Sequence, residues 1–239
     1  MCLLGSTFRN HKGSPVTWRA IGALALVLIL AGCSDNAPAS APEKLVEASA
    51  LEGMLLSPKD IDQVMGTSGM TPHEIVTQMG DHRQLLPNLN CLGVWQVDEV
   101  GVYGPSGWSA LRQVMMRSPD NERWDNLVVQ SVVTYHSVED AKKFFTESAD
   151  RWSKCTNHHV NITLNGTPLP KWLSGDLTKT DTRLTIPVTR GSGDQIRACQ
   201  RVLALAVNVI VDVQACAPAG TTVTQAGVVA DRIESALPK

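Results

Sequence analysis

Cysteine and histidine are the side chains with most chemistry to offer in this 239-residue chain. Beyond residue 33 there are four cysteines, Cys91, Cys155, Cys199 and Cys216. Five histidines join them: His73, His82, His136, His158 and His159. Cys155 with His158 and His159 has the make-up of a metal cluster. A sulfur in a disulfide is lost to a metal, however, and adjacent histidines after a helix face solvent, so no metal ion is expected. No histidine sits in H-E-x-x-H, and there is no G-x-S-x-G nucleophile turn. Ser192 in RGSGDQ lacks a strand-to-helix setting and reads as loop. Asp60 and Asp62 are two apart on a short helix and cannot share a face; they read as partners of the helix dipole. The chain offers no motif for catalysis, and no cofactor is expected.

The first residues are read as an address. Arg9, Lys12 and Arg19 precede an apolar run, Ala20 to Leu30, and then Leu30-Ala31-Gly32-Cys33. A basic lead, a short apolar core and small residues before a cut mark a secretory signal. At 1.5 Å per residue such a run cannot cross about 30 Å of hydrocarbon. The L-A-G-C tetrad resembles the bacterial lipobox, which implies that Cys33 is acylated and becomes the new N-terminus. Val16 is a possible alternative start. The expected layout is a signal peptide over 1–32, a lipidated Cys33 with an Ala/Pro-rich tether over 33–50, and one domain over 51–239. Three of the 21 basic residues and none of the 23 acids lie in 1–32, so the remainder carries a formal charge of −5. That balance argues against a nucleic-acid partner.

Outside the cytoplasm thiols oxidise, and four cysteines allow three pairings. The run RACQRVLALAVNVIVDVQAC reads as two strands around a turn at Val207–Asn208. Paired positions on that centre place Cys199 opposite Cys216 as a non-hydrogen-bonded pair, with Cα atoms about 4.5 Å apart. Val202, Ala204, Ala206, Val209, Val211, Val213 and Ala215 share a core face. Arg201, Leu203, Asp212 and Gln214 share a mixed one. The closed loop is worth roughly 3 kcal/mol in the chain-entropy model. By elimination Cys91 pairs with Cys155, worth about 4 kcal/mol. Val-Asn is a poor hairpin dipeptide.

The remaining elements follow from caps and periodicity. Residues 55–66 read as a helix with Ser57 as cap, Pro58 at its first position and Gly66 at its end. Residues 71–80 carry a similar Thr-Pro-x-Glu start and Gly80, with weaker periodicity, and are expected to be a second helix. Residues 124–136 read as a central strand, 137–155 as an amphipathic helix and 221–238 as a terminal one. Residues 182–189 alternate like a strand, with Pro187 suggesting an edge. The fold class is α+β, with a mainly antiparallel sheet and flanking helices. Tyr103 and Trp108 flank a Gly/Pro-rich loop and are candidates to line a ligand cleft, together with Trp95 and Gln130. Packing of the two rings over that loop is the competing reading. Trp152 falls on the apolar helix stripe.

Taken together, LLSPKDIDQVMGTSGM, CLGVW, VYGPSGWSALR, WDNLVVQSVV, the A-x-x-F-F…W-x-x-C helix and ACQRVLALAVNVIVDVQAC resemble the PknH-like extracellular domain, over roughly 51–239. This is the sensor domain of a mycobacterial membrane Ser/Thr kinase, also found alone in lipoproteins. The resemblance implies an α+β domain with a broad V-shaped cleft, the disulfides Cys91–Cys155 and Cys199–Cys216, and sensing of an unidentified ligand. The expected function is a non-catalytic binding module on the extracytoplasmic face of the cell membrane, held by a lipid anchor. Its partner would be a small molecule, an envelope glycan or lipid, or a protein. An envelope hydrolase and a purely structural lipoprotein are the alternatives.

Overall fold

The computed structural model describes residues 44–85, 88–164, 166–169 and 171–237. The leader, Cys33 and most of the expected tether lie outside the described residues. The folded body starts before the expected boundary at 51, because Val46 is already buried. Its backbone N–H donates to Asn208 Oδ1 (2.8 Å), and its carbonyl accepts from Asn208 Nδ2 (3.2 Å).

Helix α1 (Pro58–Met65) opens with the expected capping box between Ser57 and Asp60. It closes at Gly66, whose φ of 65° suits a residue without Cβ. Strand β1 (Thr71–Pro72) follows, then two single-turn helices, α2 (Leu92–Trp95) and α3 (Val100–Tyr103). The long strands β2 (Trp108–Ser118) and β3 (Asn126–Tyr135) lead into α4 (Val138–Ser153), capped by Ser137. Short strands β4 (His159–Val160), β5 (Thr163–Leu164), β6 (Thr167–Pro168), β7 (Trp172–Ser174) and β8 (Thr178–Lys179) precede β9 (Arg183–Arg190). The hairpin β10 (Arg197–Ala206) and β11 (Val209–Pro218) comes next, and α5 (Gln225–Ser235) ends the chain. The main sheet runs β1-β2-β3-β11-β10-β9-β7-β4, with β8 also on β9, and every pairing is antiparallel.

The hairpin has the expected register. Ala206 faces Val209 and Cys199 faces Cys216. Both disulfides form as paired above, with Cα separations of 4.0 Å for Cys199–Cys216 and 5.5 Å for Cys91–Cys155. The unfavourable turn dipeptide has a tertiary reason. Val207 sits at φ 55°, costly for a β-branched residue. Asn208 is needed beside it for the clamp on Val46, and its Nδ2 also donates to Tyr135 O (2.8 Å).

Side-chain alternation gives the sheet two buried faces. One carries Val128, Val132, Val202, Val211 and Val213 against α1, α5 and the first segment. The other carries Leu111, Val133, Ile186 and Leu203 against α2, α3 and α4. Two expectations are corrected. Residues 71–80 are not a helix: Thr71 and Pro72 pair with Arg117 and Met116, and Val76 bridges Gln113. The free edge of β2 claims the backbone donors that a helix would need. Strand β9 is not an edge either. Pro187 lies where β7 stops at Ser174↔Val188 and β8 starts at Thr178↔Thr185, a gap in which no ladder donor is required.

Candidate functional site

The 71–82 segment acts as a strap. Asp62 fixes its start by accepting from Gly69 N (3.2 Å) and Met70 N (2.9 Å). His73 N donates to Met115 O (2.8 Å), and Val76 and Gln113 exchange backbone hydrogen bonds of 2.8 and 3.0 Å. The strap then leaves the sheet. Gly80 N donates to Asp98 O (2.9 Å), and Val100 N donates to Gly80 O (2.8 Å). Between strap, sheet face and the 96–99 turn lies a groove of ≈ 710 Å³. Its floor is Met115, Val129 and Val97, and Gln78, Gln96, Gln113, His82 and Glu99 supply polar groups. A volume of that order holds a drug-sized ligand. On the other side of the strap a second groove of ≈ 460 Å³ is lined by Leu55, Leu56, Ile75, Val114 and Met116; His73 and Glu74 border both grooves.

At the groove wall, Glu99 is 1% exposed and aims its carboxylate at His82. Oε2 accepts from His82 N (3.0 Å) and Oε1 from the ring Nδ1 (2.5 Å). The second ring nitrogen, Nε2, is left to the groove, where the half-exposed imidazole can accept or donate. The ring stands edge-on to Trp95 at 5.7 Å, and Trp95 stands edge-on to Trp172 at 6.0 Å. Gly80 makes room: a Cβ there would lie 3.4 Å from the imidazole and 3.5 Å from Glu99 Oε1.

Behind the groove wall is a buried polar cluster. Arg201 and Asp212 form an ion pair (2.7 Å), and both are essentially without solvent exposure. The Tyr103 hydroxyl donates to Asp212 Oδ2 (2.9 Å). Asp98 is equally buried at φ 55°, and its carboxyl oxygens have no hydrogen-bond partner among the described residues. Burial first, then the Asp212 charge, pushes the Asp98 carboxyl well above the usual carboxylate range. Burial raises Asp212 as well, with Arg201 pulling the other way, and burial raises the Tyr103 phenol. Native Asp98 therefore holds a proton that the unfolded chain releases above about pH 4. A native state that binds more protons loses stability as pH rises from there to the raised pKa, by at most about 1.4 kcal/mol per pH unit for one group. Asp98→Asn, the neutral isostere and a residue tolerant of positive φ, is expected to flatten that slope and to be the more stable form at pH 7. Urea melts of both proteins from pH 4 to pH 8 check this.

The four residues proposed for a cleft are not brought together, and none lines either groove. Tyr103 is in the core, stacked on Phe144 at 4.3 Å. Trp95 is buried between His82 and Trp172. Trp108 is half-buried against the core at the start of β2. Gln130 is on the opposite face of the sheet, where its amide exchanges hydrogen bonds of 2.8 Å with Leu56 N and O. Tyr103 ends α3 with its hydroxyl on the buried Asp212, so its ring is core and does not line a cleft. About half of the groove lining, including His82, lies on the strap, whose Thr-Pro-x-Glu start reads as a helix; the rest comes from the 96–99 turn and from β2 and β3, which only the fold brings together. The strap's weak apolar periodicity was the available signal. Cys155, considered for a metal, is oxidised to Cys91.

Comparison with known proteins agrees with this architecture. The family model for the PknH-like extracellular domain matches residues 46–235. The serine/threonine-protein kinase PknH of Mycobacterium bovis is 29% identical over 217 residues, covering 88% of this chain and 35% of that protein. PknH of Mycobacterium tuberculosis is 29% identical over 197 residues, covering 82% and 30%. The chain thus spans about a third of the length of these relatives. The crystal structure of the extracellular domain of PknH from Mycobacterium tuberculosis superimposes with a TM-score of 0.72 at 28% identity, covering 80% of this chain and 96% of that one.

Proposed function

Because the chain belongs to the PknH-like extracellular domain family, we propose that it is an extracytoplasmic ligand-binding module of the sensor type, tethered to the membrane by a lipid on Cys33. The supporting observation is the groove under the strap. Its apolar floor suits the body of an amphipathic small molecule, and His82, oriented by buried Glu99, suits a polar group at one end. The strap holds the sheet through a few backbone hydrogen bonds, so it is the part that a ligand would order. Among the described residues no helix is long and apolar enough to cross a membrane, and the anchor rests on the L-A-G-C tetrad.

The test is thermal shift of the domain against envelope lipids and glycans, alongside Met115→Trp. The indole would fill the groove from a strand position that tolerates aromatics. A ligand at a hundred times its Kd stabilises by about 2.7 kcal/mol, which raises Tm by roughly 5–10 °C for a domain of this size. The shift should disappear in Met115→Trp. A variant that folds and keeps the full shift places the ligand elsewhere.

The His82–Glu99 pair also favours a second reading, an envelope hydrolase in which His82 Nε2 acts as general base for water. That reading requires ester or glycan turnover that is lost in His82→Ala; turnover unchanged by the substitution rejects it.

A further inference from the structure

Arg190 is the one half-buried or buried arginine without a hydrogen-bonding or charged partner among the described residues. Its peers are engaged. Arg201 holds Asp212, Arg197 holds Asp125 and Trp124 O, Arg183 holds Asp231 and Glu234, Arg117 holds Asp120, Arg151 holds Glu147, and Arg112 holds Leu111 O. Arg190 instead lies over Trp172, with its guanidinium carbon 4.3 Å from the ring centroid, and Trp124 flanks it at 5.5 Å. Ring faces satisfy the charge of a guanidinium, not the N–H donors around its edge. Burial lowers its pKa to about 10, so it is still charged at neutral pH.

We propose that Arg190, lying over Trp172 and flanked by Trp124, is a recognition site for a phosphate group, carried either by a free phosphoester or by a lipid headgroup. A fixed planar fork with unused donors matches the paired oxygens of a phosphate, and stacking on indole pre-organises it. Trp172 is buried beneath the fork, and the half-buried Trp124 beside it suits the boundary between headgroup and acyl chain. The site is separate from the groove, and a line of contacts joins them: His82 to Trp95, Trp95 to Trp172, Trp172 to Arg190. Ligands at the two ends therefore press on one row of rings.

The test labels arginines of the wild-type domain with phenylglyoxal and maps them by mass spectrometry, with chloride keeping ionic strength constant. At ten times its Kd, inorganic phosphate should slow labelling of Arg190 about tenfold, as mass action requires. Exposed Arg123 and Arg232 should be unaffected. If vesicles containing phosphatidylglycerol protect and inorganic phosphate does not, the phosphate is a headgroup; the reverse makes it a free phosphoester. Arg190→Gln should lose any phosphate-induced rise in Tm, and Arg190→Lys should lose most of it. Equal labelling with and without both probes overturns the proposal, as does protection by acetate alone or an unchanged Tm response in a folded Arg190→Gln. Because labelling uses the wild-type protein, the result does not depend on the variants folding. Groove binding tested through Met115→Trp can fail without affecting it.

Discussion

Replacing Arg201 by Met is expected to cost about 3–5 kcal/mol, the range for a buried ion pair deprived of one partner. Asp212 would then be buried beside Asp98 without its countercharge. The loss extends beyond the pair. Arg201 Nη1 donates to Val213 O (2.8 Å), Nη2 to Gly93 O (2.8 Å) and Gln96 O (3.3 Å), and Nε to Val94 O (3.3 Å). Those carbonyls belong to β11 and to the α2 turn, so one side chain fastens the wall of the groove to the hairpin. Its guanidinium also lies 5.6 Å from the centre of the Trp152 ring on α4. Urea unfolding of Arg201→Met beside wild type measures the cost, and Arg201→Lys should recover only part of it, since one ammonium cannot reach four carbonyls and a carboxylate. Restoration by adding Asp212→Leu should be incomplete, because the carbonyls of Gly93 and Val94 would still lack a donor.

Removing the Cys91–Cys155 bridge with paired Ala substitutions should cost about 4 kcal/mol by loop-entropy reasoning, more than the roughly 3 kcal/mol for Cys199–Cys216. The two losses should also differ in kind. Cys199 and Cys216 sit inside a continuous ladder, Arg197↔Pro218 through Ala206↔Val209, that holds their register without the bond. Cys91 stands at the start of α2, and Cys155 follows the last turn of α4, with no strand pairing between these segments. Loss of the first bridge should therefore weaken ligand binding as well as folding, because α2 leads into Gln96 and Glu99. Paired thermal melts and binding assays of the two double variants check this. Equal losses of stability with ligand binding untouched in both would count against it.

Local pattern carried much of the fold. The hairpin register, α1, α4, β3 and the Cys199–Cys216 pairing follow from alternation, caps and the spacing of those two cysteines, each contained within about twenty residues, and Cys91–Cys155 follows by elimination. What could not be read depends on distant partners. Thr71-Pro72-x-Glu74 has a helix-start signature, yet the donors of His73 and Val76 go to Met115 and Gln113 some forty residues later. Arg201 and Asp212 looked like a mixed strand face, and only the packing of α4 and the 92–103 segment makes them an interior ion pair. Tyr103 reads as a cleft residue because it flanks a Gly/Pro-rich loop, and Gln130 is named beside it, yet both polar tips are taken inside the fold. Asp212 in one case and Leu56 in the other already use those tips. Glu99 was invisible as a site residue, since nothing in EVGVY marks a carboxylate that will be buried against His82.

Hydrogen exchange of the domain, recorded with and without an extract of envelope lipids and glycans, probes the groove most directly. Ligand binding under the strap should slow exchange over residues 73–82 and 96–100 and in the β2 segment around Gln113 and Met115, and leave α5 unchanged. Protection confined to another face, or none with an extract that raises Tm, would contradict the assignment of this groove as the binding site.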